Sequence, residues 1–292
     1  MSKFPGITSW LNVLVQKSTG GRYEHALAQE NGHNRSSIVP QLKILISDAH
    51  EDARRRLRKL ATGSLDPLNE PNAKDPAKGY PERLHIQTLK GYFGETIAGA
   101  VAENLHPFGM KDWTVPAYLF RFHLVEFQQL NMMDQTGDAA HKRPGRTGDD
   151  CLAFRRDASG TIVATLFCEA KCTADHDANM INDAHEKSSL SNLLPVDILQ
   201  IIEVLEDSTD ATAASWIEAL RRLYLKGPGS AYERVDQVTY ICGRKPVLKG
   251  LKSWIPSGKP HSKYTGARRL HVAEIHLSQV EDLIKKVYGV VS

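Results

Sequence analysis

The feature that most narrows the possible folds is a pair of apolar, β-prone runs, residues 150–156 and 161–168, joined by Asp157-Ala158-Ser159-Gly160. Asp, Ser and Gly supply turn chemistry between two strand-forming segments, so the stretch predicts a β-hairpin. The surrounding chain can cover both faces of such a ribbon. Helical periodicity predicts helices over 37–62, 85–109, 177–188, 196–207 and 213–226. A last helix follows Ser278, a candidate cap with Glu281 three residues on. Strands are expected over 113–129, 235–243 and 268–277. Helices on either side of a hairpin, followed by further strands, predict an α/β protein with a mixed sheet flanked by helices.

Residues 63–82 are rich in Pro, Asn, Asp and Gly and cannot continue a helix. They divide the chain into a partly helical N-terminal accessory region, 1–80, and a main domain, 81–292. The chain has 292 residues and a net charge of +3, so total charge does not identify a partner. No apolar run approaches the roughly 20 residues of a membrane helix, and the N-terminus lacks signal-peptide organisation. Cys151, Cys168, Cys172 and Cys242 form no C-x-x-C pair and read as buried free thiols. A cytoplasmic location with no membrane association is expected.

The second strand of the hairpin runs into Glu169-Ala170-Lys171, the only such acid-x-Lys triplet in the chain. Strand alternation puts Glu169 and Lys171 on one face, with Ile162, Ala164, Leu166, Cys168 and Ala170 on the other. If the turn closes symmetrically about Ala158 and Ser159, Asp150 pairs with Phe167 and shares the face of Glu169. A one-residue bulge would bring Asp149 there instead, so Asp149 is the reserve. Two neighbouring carboxylates repel unless a cation lies between them. Mg²⁺ (or Mn²⁺), held by Asp150, Glu169 and the Ala170 carbonyl, meets that need and leaves positions for a phosphate. Lys171 would orient water and offset charge growing at phosphorus. The spacing therefore predicts a metal-dependent phosphodiesterase; the plainer alternative is a set of strand-end charges reaching solvent.

These residues resemble the PD-(D/E)XK nuclease superfamily, whose hallmark is an acid at the start of one strand and E-x-K on the next. The resemblance implies a restriction-endonuclease-like core and Mg²⁺-dependent cleavage of DNA or, less often, RNA. It also implies an assisting glutamate on the preceding helix, which "GYFGETIAG" would supply as Glu95. Gly91 and Gly94 would let that helix approach the sheet; otherwise Glu95 is a solvated helix charge. More narrowly, residues 85–292 look like the nuclease subunit of Hachiman-type anti-phage defence systems, which implies a helicase partner. The chain has no G-x-x-x-x-G-K-[ST], so an ATP-driven motor is expected on another subunit.

Between Gln237 and Ala273 there is no acid, but there are Arg244, Lys245, Lys249, Lys252, Lys259, Lys263, Arg268 and Arg269, with Trp254 and Tyr264 interleaved. Such a region would attract a phosphate backbone. "ARRRLRK" (53–59) reads as a charged helix face. His176, Asp177, Asp183 and His185 read as polar helix surface, because the two histidines are too far apart along a helix to converge on zinc. Two functions compete. One is a DNA endonuclease subunit of a defence or restriction system. The other is a non-catalytic nucleic-acid-binding or assembly subunit that keeps a nuclease-like core.

Overall fold

A computed structural model describes residues 4–62, 75, 77–120, 150–190, 192–247, 250 and 252–290. Its strands are β1 (Leu11–Lys17), β2 (Tyr23–Glu30), β3 (Cys151–Arg156), β4 (Ile162–Thr173), β5 (Glu233–Cys242) and β6 (Arg269–His276). They form one mixed sheet in the order β1-β2-β6-β5-β4-β3. The central neighbours β2, β6, β5 and β4 run parallel, and β1 and β3 close the two edges antiparallel. Strands buried on both faces carry long apolar runs instead of alternation; β5 is buried at every position after its first.

The helices are α1 (Ile7–Trp10), α2 (Arg35–Thr62), α3 (Ile86–Leu105), α4 (Ala178–Ser188), α5 (Ile198–Glu206), α6 (Ala213–Lys226) and α7 (Val280–Tyr288). One face of the sheet is covered by α2, α3 and α7, whose Leu42, Phe93, Ile97 and Ile284 share a core with Ala164, Leu166 and Ile275. The other face is covered by α5 and α6, through Ile201, Leu205 and Trp216 against Phe167, and by α4 through Ile181 and Ala184. Among the described residues, no helix is long and apolar enough to cross a membrane.

Several expectations need correcting. Residues 11–30, expected to lie in an accessory region apart from the main domain, supply β1 and β2 to the central sheet, and β2 pairs in parallel with β6. Of the strand expected over 113–129, Thr114 makes a single bridge to Phe154, residues 115–120 form no strand, and 121–129 lie outside the described residues. Ser278 does not cap α7. Gln279 occupies the cap in a left-handed conformation with no side-chain cap bond, while Ser278 Oγ donates to Glu30 Oε2 at 3.1 Å. The cysteines are free and buried, as their spacing implied.

The hairpin register also differs from a symmetric closure, and the reason is local. The turn holds three residues between Asp157 and Thr161, with Gly160 at φ +79° and Asp157 Oδ1 accepting from Ser159 N and Thr161 N. A β-bulge then falls between Arg155 and Arg156 and adds a second one-residue offset. Each offset alone would turn the ribbon over; together they slide it by two and restore the faces. Phe167 therefore pairs with Leu152, and one step beyond Cys151↔Cys168 puts Asp150 opposite Glu169. Ile162, before the bulge, falls on the Phe167 side and not with Ala164.

The close approach of α3 to the sheet depends on a glycine other than the two expected. A Cβ at Gly91 meets nothing within 4 Å, and one at Gly94 makes ordinary contact with Cys172 and Ala170. At Gly99 a Cβ would come within 2.7 Å of Tyr118 Cε1 and 3.1 Å of Cys151 Sγ. Gly99→Ala is therefore expected to destabilise the fold by about 1–3 kcal/mol through overpacking. Gly91→Ala should stabilise it by roughly 0.5–1 kcal/mol by removing a helix-interior glycine. Urea denaturation of both variants checks the contrast.

Candidate metal-binding acid–lysine site

The two offsets in the hairpin set Asp150 beside the end of β4, and a backbone bond holds it there. Asp150 N donates to Cys168 O at 3.1 Å, and Asp150 Oδ2 accepts from Ala170 N at 2.9 Å. Glu169 is 5% exposed on the same face of the sheet. Lys171 Nζ lies 2.8 Å from Glu169 Oε1 and 2.7 Å from Asp183 Oδ2 of α4. Lys187, one turn along α4, reaches Glu169 Oε1 at 3.2 Å and Asp183 Oδ2 at 3.6 Å. Asp177 fixes the start of α4, its Oδ1 accepting from Asn179 N at 2.8 Å.

Charge is balanced here in a specific way. Burial, together with the Asp150 charge, pushes the Glu169 carboxyl up to about 7, against the pull of Lys171 and Lys187. Burial disfavours the Lys171 ammonium, but the charges of Glu169 and Asp150 and the hydrogen bond to Asp183 outweigh it and raise its pKa. Lys171 thus stays cationic and Glu169 is the titrating group. A pair of acids, one of which burial and its neighbour's charge push toward neutrality, is a donor set a divalent cation would satisfy. Among the described residues, no cluster of three or more His, Cys, Asp or Glu side chains could hold a metal. Any cation here would therefore rest on two carboxylates, backbone oxygen and solvent.

Asp150, Glu169 and Lys171 come together; the other expected site residues fare differently. Asp149 lies outside the described residues. Glu95 is 4% exposed, so it is not a solvated helix charge. It lies on α3 against the opposite face of the sheet, where its charge and, more strongly, burial raise the Tyr288 hydroxyl. Asp183 and Lys187 were passed over as polar helix surface. Their i, i+4 spacing, beginning six residues after the Asp177 cap, was the available signal. His185, assigned to the same surface, is buried, with Nδ1 2.7 Å from Ile181 O.

The basic candidates divide as well. Arg268 Nε donates to buried Asp236 Oδ2 at 2.8 Å, and Arg269 makes a two-pronged pair with Glu233. Arg268 is thus tied to an acid inside the fold, and Arg269 to the partly exposed Glu233. Lys249 lies outside the described residues. Arg244, Lys245, Lys252, Lys259 and Lys263 are exposed, with Arg244 Nε 2.5 Å from Asp175 and Lys263 Nζ 3.7 Å from Glu186. The basic face of α2 is matched with acids: Arg54 to Glu51 and Glu82, Arg55 to Asp52, Arg56 to Glu203, Arg58 to Asp75 and Lys59 to Asp207.

Because the folded-state pKa of Glu169 is raised, the native protein holds a proton that the unfolded chain releases between its ordinary value of 4.5 and about 7. That contribution to stability is full below this window and lost as pH rises through it. At pH 8 without added cation, Glu169→Gln is expected to be more stable than the parent by up to about 3 kcal/mol, and to equal it near pH 4. Denaturant midpoints across that range check the sign.

No protein-family model and no curated protein matches the chain.

Proposed function

We propose that the chain is a divalent-metal-dependent nuclease with a restriction-endonuclease-like core, acting on DNA. The observation that carries this reading is the convergence of Asp150, a near-neutral Glu169 and a fixed Lys171 at one end of the β3–β4 hairpin. Asp150, Glu169 and the backbone carbonyl of Ala170 would hold Mg²⁺ or Mn²⁺. When bound, the cation supplies Lewis acidity toward a phosphoryl oxygen.

The chain's own groups have separable tasks. Lys171 is clamped between Glu169 and Asp183, so its ammonium is directed without a search through rotamers. Permanently protonated, it cannot remove a proton from water. It donates hydrogen bonds, which suits it to hold an attacking water or to stabilise charge that develops at phosphorus. Lys187 shares Glu169 and Asp183 with it, keeping a second cation at the site. Glu169 must shed its proton before it can serve as a metal ligand. Glu95 is not included in the catalytic set. The exposed Arg244, Lys245, Lys252, Lys259 and Lys263 would contact the phosphate backbone. An ATP-driven unwinding subunit is the proposed partner, in an anti-phage defence or restriction setting.

Plasmid nicking by the purified protein, alone and with a helicase partner, tests the reading. Lys171→Ala should lower the rate by about 10²–10³-fold, the cost typical of losing one preorganised donor to a developing anion. EDTA should stop cutting, and Asp150→Ala should abolish the Mn²⁺ binding seen by calorimetry. Undiminished cutting by Lys171→Ala rules the site out. Salt-sensitive DNA binding without cleavage under any divalent metal leaves the non-catalytic binding subunit.

The pH dependence has a definite sign. Cutting should fall as pH drops below about 7, where Glu169 takes up its proton. Saturating cation competes with that proton and moves the midpoint lower. A rate that rises toward acid pH would remove Glu169 from the proposed ligand set.

A further inference from the structure

A second polar site lies at the carboxyl ends of the parallel strands, away from the β3–β4 hairpin. The chain leaving β5 passes to the face where Trp254, Ile255 and Tyr264 pack near α4. The chain leaving β6 passes to the opposite face, where Leu277 and Val280 join α2 and α3. Adjacent parallel strands whose continuations part to opposite faces open a crevice between them, the usual ligand position in such sheets. The crevice here has a volume of about 380 Å³, in the range of small-molecule sites, and is lined by Gly243, Arg244, Lys245, His276 and Ser278, with Gln29 and Glu30 from the end of β2.

His276 on its wall is paired with the buried Glu274. Glu274 is 0% exposed and accepts from His25 Nε2 at 3.2 Å, Ser253 Oγ, Trp254 N at 2.7 Å and Ile255 N at 3.1 Å. Burial opposes its ionisation, but the bonds from His25, His276, Ser253 and Trp254 hold it down to about 2. As an ionised acceptor it obliges His276 Nε2, 2.7 Å away, to be the donor. His276 is 6% exposed, and its Nδ1 is buried with no hydrogen-bond partner among the described residues. Such an atom ordinarily has a partner, so a missing one points to a ligand or solvent group. Among the described residues Lys245 makes no ion pair, and the ion pair of the Arg244 guanidinium is with exposed Asp175. Glu30, the one acid on the wall, is held by Arg35, Trp10 Nε1 and Ser278, so the free charge at the mouth is positive.

We infer that this crevice binds a phosphate-bearing small molecule, with Arg244 and Lys245 pairing the phosphoryl oxygens beside the wall formed by His276 and Ser278. A phosphate monoester suits this mouth, because it offers charged acceptor oxygens to the two cations. The site shares Arg244 and Lys245 with the proposed backbone-contacting surface and includes none of Asp150, Glu169 and Lys171.

Calorimetry on the full chain, with inorganic phosphate and separately with AMP, at ionic strength matched by chloride, tests the inference. Saturable binding is expected, weakened about tenfold or more in the Arg244→Ala, Lys245→Ala double variant. Thermal melting of the double variant should match the parent, since both side chains are exposed. In NMR spectra, phosphate should shift the imidazole signals of His276, and Lys171→Ala should leave both readouts unchanged. Tighter binding of AMP than of phosphate would identify an ester as the ligand; the reverse would identify free phosphate. No saturable binding of either, affinity unchanged in the double variant, or loss of binding in Lys171→Ala would overturn the inference.

Discussion

A carboxylate buried beside a second carboxylate is the constraint around which this end of the molecule is arranged. Glu169 cannot be moved to solvent, because β4 is flanked by β3 and β5 and covered on both faces. Its charge must therefore be met locally, by Lys171 and Lys187, or avoided by protonation near neutrality. Opposite charges are drawn in from α4, so the helix that follows β4 is part of the same electrostatic unit as the strand. Asp177 at the start of α4 and the buried Ile181 and Ala184 set the rotation that aims Asp183 and Lys187 at the strand.

How much of this could be read from the sequence follows from the range of each interaction. The hairpin is local: turn residues and apolar runs announce it, and the face shared by Asp150, Glu169 and Lys171 follows from the two-residue period of a strand. The pairing within the hairpin was less legible. A three-residue turn and a bulge each shift the ribbon by one, and the sequence marks them only through Gly160 and the Arg155-Arg156 step. The shared face survives because the two shifts add to an even number, which parity reasoning from one assumed turn could not reveal. Ile162, on the far side of the bulge, shows what a single uncompensated shift does.

Non-local partners were the least legible. β2 joins β6 across more than two hundred residues, and nothing local in "YEHALAQE" marks a central parallel strand. Its Glu24 and His25 are buried all the same, because distant groups satisfy them: Phe108 N for Glu24 and Glu274 for His25. Arg268 and Arg269 misled for the same reason. In sequence they belong to a basic stretch without acids. In space Arg268 meets Asp236, which also accepts from Arg234 and Tyr264, while Arg269 meets Glu233. A charge run predicts a solvated surface only when the neighbouring strands carry no acids facing it.

The interior of the sheet makes the same point about specificity. Asp236, Gln237, Thr239, His271 and Glu274 are all buried on β5 and β6, each an expensive choice beside a valine or isoleucine. They are satisfied by one another, by α3 and by loops: Gln237 by Ala98 O, Thr239 and His271; Asp236 by three side chains; Glu274 by the 253–255 segment. Apolar replacements could hold the strands together as well. They could not fix where the long connection after β5 lies, since greasy contacts tolerate sliding and a carboxylate accepting two backbone N–H groups does not. Buried polarity on β5 and β6 thus acts as a set of registration points for segments that lack regular secondary structure. The carboxyl end of the sheet is shaped by those segments, with Gly243 turning against Ala174 O where a Cβ would come within 2.4 Å.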